Sequence, residues 1–251
     1  MFVKWKVNGL QITEYKLDFT NVETEKGEYP VIIVAAGSSL RMQGTAKQFV
    51  NLSGIPAIVH TLSAFENSPE ISRIILVTKQ EYINEMQLLA EKYMISKLSD
   101  IVEGGVDRQS SVKCGLSRLS NESHVLIHDG ARPLVTEDII SRVCASLKDA
   151  DGVVCAVPVK DTVKYSDESG FVTKTISRDS LYSVQTPQGV NVKKYNDALS
   201  DKNCSRFTDD ASILEAANMS VKIVMGDYSN IKLTTPEDIA LAEYYLERRG
   251  N

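Results

Sequence analysis

Short apolar segments alternate with amphipathic segments along most of the chain after residue 30. The apolar segments VIIVAA, IILVT and VLIHDG have the length of strands, whereas YINEMQLLAEKY and EDIISRVCASL place apolar residues at helical spacing. Strands and helices that alternate at this spacing are typical of βαβ units, whose parallel strands are buried on both faces. The pattern therefore predicts an α/β fold with a mostly parallel sheet.

Residues 160–177 interrupt this alternation. Two segments of alternating polarity, VKDTVKY and FVTKTIS, flank the turn-forming residues SDESG. Such a pattern is typical of a β-hairpin, and we expect it to project from the sheet as an arm. The helix–strand alternation then resumes with DDASILEAAN, SVKIVMG and a final helix that Thr235 caps and Pro236 opens.

The first 30 residues follow a different pattern. VKWKV and LQITEYKL flank Asn8 and Gly9, a dipeptide that favours a two-residue hairpin turn, and a polar stretch follows. We interpret residues 1–30 as an appendage made of a hairpin and a linker, although a disordered leader fits the same residues. Residues 31–251 then form one main domain.

Composition excludes several classes of protein. The chain has 251 residues, a net charge of −5 and a pI near 5.4, which argue against a broad nucleic-acid-binding face. Its four cysteines show no C-x-x-C pairing, and no apolar run has the length that a bilayer span requires. We therefore expect a cytoplasmic protein that binds neither nucleic acid nor membrane.

The first predicted strand runs into a loop of small residues, AAGSS at positions 35–39, followed by Arg41 and Lys47. Small residues leave the backbone N–H groups accessible to a phosphate chain, and the two cations can neutralise its oxygens. The loop matches neither the P-loop pattern nor G-x-G-x-x-G, so an ordinary ATPase or a dinucleotide-dependent dehydrogenase is poorly supported. These residues also fit a plain strand-to-helix turn with two solvated cations.

Three other segments add polar groups at predicted strand ends. EGGVDRQSSVKCGL places glycines and hydroxyls at the start of a helix, VLIHDGARP places Asp129 directly after a strand, and Lys232 precedes the final helix. Mg²⁺ prefers one or two protein oxygens together with substrate phosphates, so Asp129 is a candidate ligand for it. The same segments are also compatible with a capped helix, a plain turn and a surface lysine.

The motifs AAGSSLRM, KQF, GGVDRQSSV, HDGARP, PVKDTVK, QTPQG, FTDDAS and NIKLTTPEDIALAE occur together in one order. Their order and spacing resemble those of the 2-C-methyl-D-erythritol 4-phosphate cytidylyltransferases, and the resemblance covers roughly residues 31–246. It implies a Rossmann-like sheet with helices on both faces. It also implies Mg²⁺-dependent transfer of CMP from CTP to methylerythritol phosphate, with release of pyrophosphate, in the non-mevalonate route to isoprenoids.

The resemblance also implies roles for individual residues. Those expected to act on the reacting phosphates are Arg41, Lys47 and Lys232. Those expected to surround the nucleotide are Ala35, Ala36, Gly37, Ser38, Gly105, Asp107, Arg108 and Ser111. Those expected to hold the acceptor are Asp129, Arg132, Thr162, Arg178 and Thr208, with Asp129 also binding the metal. The resemblance further implies a homodimer formed through the hairpin arm.

The sequence departs from the family pattern at three positions. Ser39 and Gly130 replace a frequent glycine and a frequent alanine, and Ala46 replaces the usual proline before Lys47. Two other functions stay open at this point. A ribitol-5-phosphate cytidylyltransferase shares most of the nucleotide motifs, and a non-catalytic nucleotide-binding module would need the base-recognition residues alone.

Overall fold

The computed structural model describes residues 27–37, 46–200, 207 and 209–249. Most of the predicted N-terminal appendage, residues 1–26, lies outside the described residues. The strands are β1 (Tyr29–Val34), β2 (Asn51–Leu52), β3 (Ile55–Pro56), β4 (Ile71–Thr78), β5 (Leu98–Glu103), β6 (His124–Asp129), β7 (Gly152–Pro158), β8 (Val163–Ser166), β9 (Val172–Ile176), β10 (Tyr182–Asn191) and β11 (Val221–Met225). The α-helices are α1 (Ala57–Glu66), α2 (Ile83–Lys92), α3 (Arg108–Leu116), α4 (Glu137–Ser146), α5 (Val192–Leu199), α6 (Asp210–Ala216) and α7 (Glu237–Arg249).

Seven strands form the central sheet in the order β11-β7-β10-β6-β1-β4-β5. β1 pairs in parallel with both β4 and β6, β4 pairs in parallel with β5, and β7 pairs in parallel with β11. β10 alone runs antiparallel to its neighbours β6 and β7. The predicted α/β fold with a mostly parallel sheet is therefore confirmed.

β10 and the helix α5 after it are the main elements that the alternation pattern did not predict. The register of β10 against β7 shifts between Val184 and Gln188, and the peptide bond between Thr186 and Pro187 within this stretch is cis. Proline cannot donate to a ladder and is unusual in a central strand, and the segment SVQTPQG also has no regular apolar pattern, so the sequence does not predict a strand here. The irregular stretch turns polar side chains toward the edge of the sheet where β6 ends.

Helices cover both faces of the sheet because its central strands are apolar on both sides. In β1, Val31 and Ile33 pack toward the layer of α1, α2 and α4, whereas Ile32 packs toward the layer of α3, α5 and α6. All three side chains are completely buried. Burial of a side chain of this size stabilises the fold by roughly 1.5–3 kcal/mol. The strand is thus anchored from both sides, which fixes the position of residues 35–37 directly after it.

The last helix is anchored by a third, smaller apolar cluster. Ala242 of α7 packs there with Leu233, Ala131 and Leu134, beside the segment that carries Lys232. The backbone N–H of Leu233 donates to the Ala131 carbonyl at 2.8 Å. This cluster therefore holds the Lys232 segment against the loop after β6. Within the described part of the chain, no helix is long and apolar enough to cross a membrane.

Strands β8 and β9 form a separate antiparallel hairpin at the place where the sequence pattern predicts the arm. The turn between them is closed by Asp167, whose side chain accepts from the Ser169 and Phe171 backbone N–H groups, while Gly170 adopts a φ of +85°. Tyr165, Phe171 and Val172 of this hairpin are all more than half exposed. The hairpin thus carries apolar side chains that no other described part of this chain covers.

We expect Gly115→Ala in α3 to destabilise the protein although alanine is the better helix former. A Cβ at residue 115 would lie 2.5 Å from Cγ2 of Ile32, which is completely buried and has no room to move. Overpacking of this kind costs about 1–3 kcal/mol and outweighs a helix-propensity gain of up to about 1 kcal/mol. Urea unfolding should show a net loss, whereas Lys113→Ala, at an exposed position of α3, should change stability by less than about 0.5 kcal/mol. Stabilisation by Gly115→Ala would contradict the close packing of α3 on β1.

Candidate active site

A cavity of about 670 Å³ lies at the carboxyl edge of the sheet. It is formed by the loops that follow β1, β4, β5 and β6, together with the short 3-10 helix at Lys47–Phe49 and the segment around Lys232. Its lining residues are Val34, Ala35, Ala36, Gly37, Lys47, Gln48, Lys79, Gln80, Glu81, Glu103, Gly104, Gly105, Val106, Asp107, Arg108, Ser111, Asp129, Gly130, Ala131 and Lys232. Ligands of open α/β sheets bind at this edge, so we call this space the first cavity.

Small residues bring two loops of the first cavity into contact. A Cβ at Gly104 would collide with the Cβ of Ala36, so the loop after β5 approaches the loop after β1 only because residue 104 is glycine. A Cβ at Gly105 would likewise collide with the Ser110 side chain at the start of α3. The two glycines therefore let the backbone line the first cavity closely.

Hydrogen bonds at the start of α3 hold the second of these loops in place. Asp107 caps the helix, because its Oδ1 accepts from the Ser110 backbone N–H at 2.7 Å. Hydrogen bonds from the Ser110 hydroxyl and from its backbone N–H lower the pKa of Asp107. The Ser111 hydroxyl donates to the Asp107 carbonyl at 2.8 Å and accepts from the Gly105 N–H at 3.1 Å. Asp107 and Ser111 line the first cavity, and both fix the shape of the loop.

Asp129, the last residue of β6, is surrounded by cations. Its Oδ1 accepts from Arg108 Nε at 3.1 Å, and its Oδ2 lies 2.7 Å from Lys232 Nζ and 3.9 Å from Arg132 Nε. Burial alone would raise the pKa of Asp129, but Arg108 and Lys232 outweigh it and hold the pKa well below its usual value. Asp129 is therefore ionised near neutral pH.

Arg108 bridges Asp129 to a second, deeper carboxylate. Its Nη2 donates to Oδ2 of Asp210 at 2.7 Å, and Asp210 is 1% exposed. Burial alone would lower the pKa of Arg108, but Asp210 and Asp129 outweigh it and raise the pKa. Tyr195 OH donates to the other oxygen of Asp210 at 2.7 Å, and Gln188 Oε1 accepts from the Asp210 N–H at 3.1 Å. The guanidinium is thus held in one orientation by a fixed carboxylate.

A second cavity of about 350 Å³ adjoins the first on the other side of Asp129. Its lining residues are Arg108, Asp129, Arg132, Val184, Gln185, Thr186, Gln188, Asp209 and Lys232. Three of these, Arg108, Asp129 and Lys232, also line the first cavity. The two cavities therefore share a wall made of one carboxylate and two cations.

A buried histidine supports this shared wall. His128 Nε2 lies 3.2 Å from the Arg132 carbonyl, which can only accept, so this nitrogen carries the proton. Nδ1 therefore accepts from the Thr186 hydroxyl at 3.1 Å, and Thr186 Oγ1 in turn accepts from the Asp129 N–H at 3.0 Å. Complete burial lowers the pKa of His128 to about 3, so the imidazole is neutral near pH 7. His128 and Thr186 together fix the backbone at Asp129.

The structure distributes the predicted site residues over three places. The residues lining the first cavity are Ala35, Ala36, Gly37, Lys47, Gly105, Asp107, Arg108, Ser111, Asp129 and Lys232, and Arg132 lines the second. Ser38, Arg41 and Thr208 lie outside the described residues, as does Ser39. Thr162 and Arg178 are exposed beside the hairpin and line neither cavity, and Arg178 Nη1 donates to the Lys160 carbonyl.

Sequence reasoning missed Thr186, Gln188 and Asp210. The motifs QTPQG and FTDDAS contain them, but their partners are distant in the chain: 57 positions separate Thr186 from Asp129, and 102 separate Asp210 from Arg108. Among the described residues, no group of three or more histidine, cysteine, aspartate or glutamate side chains is placed to hold a metal ion. A metal at this edge would therefore depend on substrate oxygens in addition to a single carboxylate such as Asp129.

Comparison with known proteins places the chain in a family. The family model IspD, 2-C-methyl-D-erythritol 4-phosphate cytidylyltransferase, matches residues 30–248. The chain belongs to this family. A curated IspD from Halalkalibacterium halodurans is 44% identical over 88% of this chain and 98% of its own length. One from Alkaliphilus oremlandii is 45% identical over 87% of this chain and 95% of its own length.

Solved structures agree with the IspD assignment. 4-Diphosphocytidyl-2C-methyl-D-erythritol synthase from Anaerococcus prevotii superposes with a TM-score of 0.77 at 34% identity, covering 89% of this chain and 98% of that one. The 2-C-methyl-D-erythritol 4-phosphate cytidylyltransferase of Thermus thermophilus superposes with a TM-score of 0.72 at 27% identity, covering 88% and 99%. The IspD similarity thus spans nearly the whole length of these relatives.

We expect Asp210→Asn and Arg108→Gln to be energetically coupled. Each change removes one charge from a pair that is mostly buried, so the double variant should lose less stability than the sum of the two single variants. Groups in one network couple by about 0.5–3 kcal/mol, and we expect about 1–2 kcal/mol here because the Arg108 side chain is 28% exposed. Urea unfolding of the four proteins in the cycle measures this coupling.

The surface pair of Asp151 and Lys194 provides the control cycle, with Asp151→Asn and Lys194→Gln. The Lys194 side chain is 48% exposed, so this pair should couple by less than about 1 kcal/mol. If the Asp210 and Arg108 substitutions are additive within about 0.3 kcal/mol, Asp210 does not hold Arg108 as described.

Proposed function

We propose that this IspD family member transfers the cytidylyl group of CTP to 2-C-methyl-D-erythritol 4-phosphate and releases pyrophosphate, a step in isoprenoid precursor synthesis. The observation that carries the proposal is the pair of adjoining cavities that share Arg108, Asp129 and Lys232. Two substrates that fill the two cavities meet at that wall. A reaction that joins two phosphates requires such a meeting point, with cations beside it.

The first cavity suits a nucleoside triphosphate. Backbone around Ala35 and Gly105 lines it, and amide and carbonyl groups there can match the edge of a cytosine; Lys47 lines the same cavity. A base that pairs with fixed backbone groups is distinguished from one that leaves them unpaired by up to about 10⁴–10⁵-fold. We therefore expect CTP to be strongly preferred over UTP.

The second cavity suits a polyol phosphate. Arg132 is mostly buried there, and its Nη1 donates to the Asn230 carbonyl at 2.7 Å, which fixes the guanidinium. Its Nε is buried and has no hydrogen-bond partner within the described structure. Arg132 and Lys232 offer positive charge to a phosphate, while Asp209 and Asp129 can accept from hydroxyl groups. The acceptor phosphate would then face the wall shared with the first cavity.

The chemistry is an in-line displacement at the α-phosphorus of CTP. An oxygen of the acceptor phosphate forms the new P–O bond, and the bond to the pyrophosphate leaving group breaks. The nucleophile is already an anion, so the protein needs no general base. Lys47, Lys232 and Arg41 supply fixed positive charge as negative charge builds on the phosphate oxygens, and one preorganised group of this kind contributes about 10²–10³ in rate.

A magnesium ion fits this arrangement as part of the proposal. Asp129 is ionised and lies on the wall of both cavities, and one carboxylate plus substrate phosphates is a usual ligand set for Mg²⁺. The ion would neutralise phosphate oxygens of CTP. Lys232 and Arg108 pair with Asp129 and hold its carboxylate in place.

A homodimer is also part of the proposal, with the hairpin of β8 and β9 as its contact. The hairpin exposes the apolar residues Tyr165, Phe171 and Val172 and has the free edges of a two-stranded sheet. Thr162 and Arg178 line neither of the two cavities of their own chain. In a dimer, Thr162 and Arg178 would complete the acceptor site of the partner subunit.

We place this activity in the cytoplasm. The three described cysteines, Cys114, Cys144 and Cys155, are free thiols. Burial raises the pKa of the Cys144 and Cys155 thiols to about 12. Free thiols are usual in a reducing compartment. The free thiols therefore support a cytoplasmic location.

Pyrophosphate release is the measurement that tests the proposed function. The full chain is given CTP or UTP with methylerythritol phosphate or ribitol 5-phosphate, with and without Mg²⁺. We expect release that requires CTP, methylerythritol phosphate and the metal together. Faster turnover of ribitol 5-phosphate would make the chain a ribitol-phosphate enzyme, and binding of CTP without release from any acceptor would make it a nucleotide-binding module.

A subunit-mixing experiment tests the dimeric acceptor site. Lys47→Ala and Arg178→Ala chains should each be nearly inactive, the first because kcat falls and the second because the partner's acceptor site is incomplete. Unfolding and refolding them together should restore activity, since one site of each heterodimer then has both residues intact. Inactive heterodimers, detected by differential tagging, would show that Arg178 does not act on the partner's site.

The matched control mixes Lys47→Ala with Lys232→Ala. Both residues line the first cavity of their own chain, so every site in that heterodimer lacks one of them. This mixture should therefore stay inactive. Recovery in the control would point to an artefact of refolding instead of complementation between subunits.

A further inference from the structure

The wall of the second cavity that β10 contributes is polar except at one residue. Among the described lining residues, Val184 is the only one whose side chain is entirely hydrocarbon; every other one carries a charge, an amide or a hydroxyl. Val184 is 41% exposed. Val184 therefore adds one apolar side chain to a cavity whose other lining groups suit phosphate and hydroxyls.

Hydrogen bonds within the protein engage the polar side chains beside Val184. Gln185 Nε2 donates to the Asp227 carbonyl at 2.8 Å, and Gln185 Oε1 accepts from the Asp227 N–H at 3.3 Å. Gln188 Nε2 donates to Asp209 Oδ2 at 3.1 Å, and the Thr186 hydroxyl is held between His128 and the Asp129 N–H. These hydrogen bonds hold the polar side chains beside Val184 in place.

The position of Val184 itself is fixed by the sheet. Its backbone pairs with Ala156 of β7, and the register shift that carries the cis peptide bond begins directly after it. Val184 is therefore the last residue of β10 in regular pairing with β7 before the polar residues Gln185, Thr186 and Gln188, which line the cavity. An apolar group at a fixed place within a polar site selects ligands by shape and polarity.

We propose that Val184 determines the acceptor specificity of this enzyme by contacting the branching methyl group of a methyl-substituted polyol phosphate. The inference rests on the proposed function and names the residue that distinguishes the branched acceptor from an unbranched one. The cations of the cavity bind the phosphate, its carboxylates accept hydrogen bonds from the hydroxyls, and Val184 contacts the methyl group. A hydroxyl facing Val184 would instead lose water without gaining a hydrogen bond.

The test compares two acceptors that differ only in the methyl group, 2-C-methyl-D-erythritol 4-phosphate and D-erythritol 4-phosphate. A methyl group in an apolar pocket changes kcat/KM by about 10–200-fold, and we expect the lower end of this range, about 10-fold, because Val184 is partly exposed. Val184→Thr keeps the β-branched shape but replaces a methyl by a hydroxyl, and Val184→Ala removes both methyl groups. Both variants should reduce the preference for the methylated acceptor by about 3–10-fold.

The loss should fall on the methylated acceptor, with kcat/KM for D-erythritol 4-phosphate changed less than twofold. Ile223→Thr on β11 is the matched control, because Ile223 is 47% exposed and lines neither cavity. It should leave the preference unchanged. The oligomeric state of every variant is measured by sedimentation, so that an effect on assembly is recognised.

Three results would overturn the inference. The first is an unchanged preference in Val184→Thr, and the second is an equal loss on both acceptors, which would assign Val184 to general positioning or to assembly. The third is a wild-type enzyme that uses both acceptors equally well. A wild-type chain that releases no pyrophosphate with either acceptor would instead refute the proposed function, and this outcome is visible before any variant is made.

Discussion

The ion pair of Arg108 with Asp129 and Asp210 is the interaction on which the rest of the site depends. It joins the start of α3, the end of β6 and the start of α6, which come from three separate parts of the chain. Burying three charges is costly unless each is paired, and the hydrogen bonds of Tyr195 and Gln188 complete the pairing around Asp210. Two members of this cluster, Arg108 and Asp129, line both cavities.

The parallel sheet explains why these parts meet. β1, β4, β5 and β6 end at one edge, so the loops after them converge without any long connection. The apolar layers on both faces keep those strands in place, and the loops can then be built from small residues that contribute little to stability themselves. In α/β enzymes the sheet usually provides a rigid scaffold, and the loops at its carboxyl edge bind the ligands.

Sequence reasoning reached the parts of the molecule that local pattern determines. The apolar run of β1 followed by small residues, the carboxylate at the end of β6 and the lysine before α7 each have a local signal, and all three contribute to the first cavity. The role of Asp210 has no such signal, because it depends on an arginine 102 positions away. β10 was not predicted for a different reason: Pro187 and its polar neighbours interrupt the apolar pattern that would indicate a strand.

The reversed direction of β10 has a consequence for how such a molecule can change over evolution. β7 ends, and β10 begins, at the carboxyl edge, so the excursion between them, residues 159–181, leaves and re-enters the sheet at the same edge. A parallel strand in that place would have required a crossover to the opposite edge. Residue pairs can therefore be added to or removed from the hairpin without altering the strand order of the central sheet. In the proposed dimer, such a change in length would alter the contact between the subunits, while each chain would keep its own central sheet.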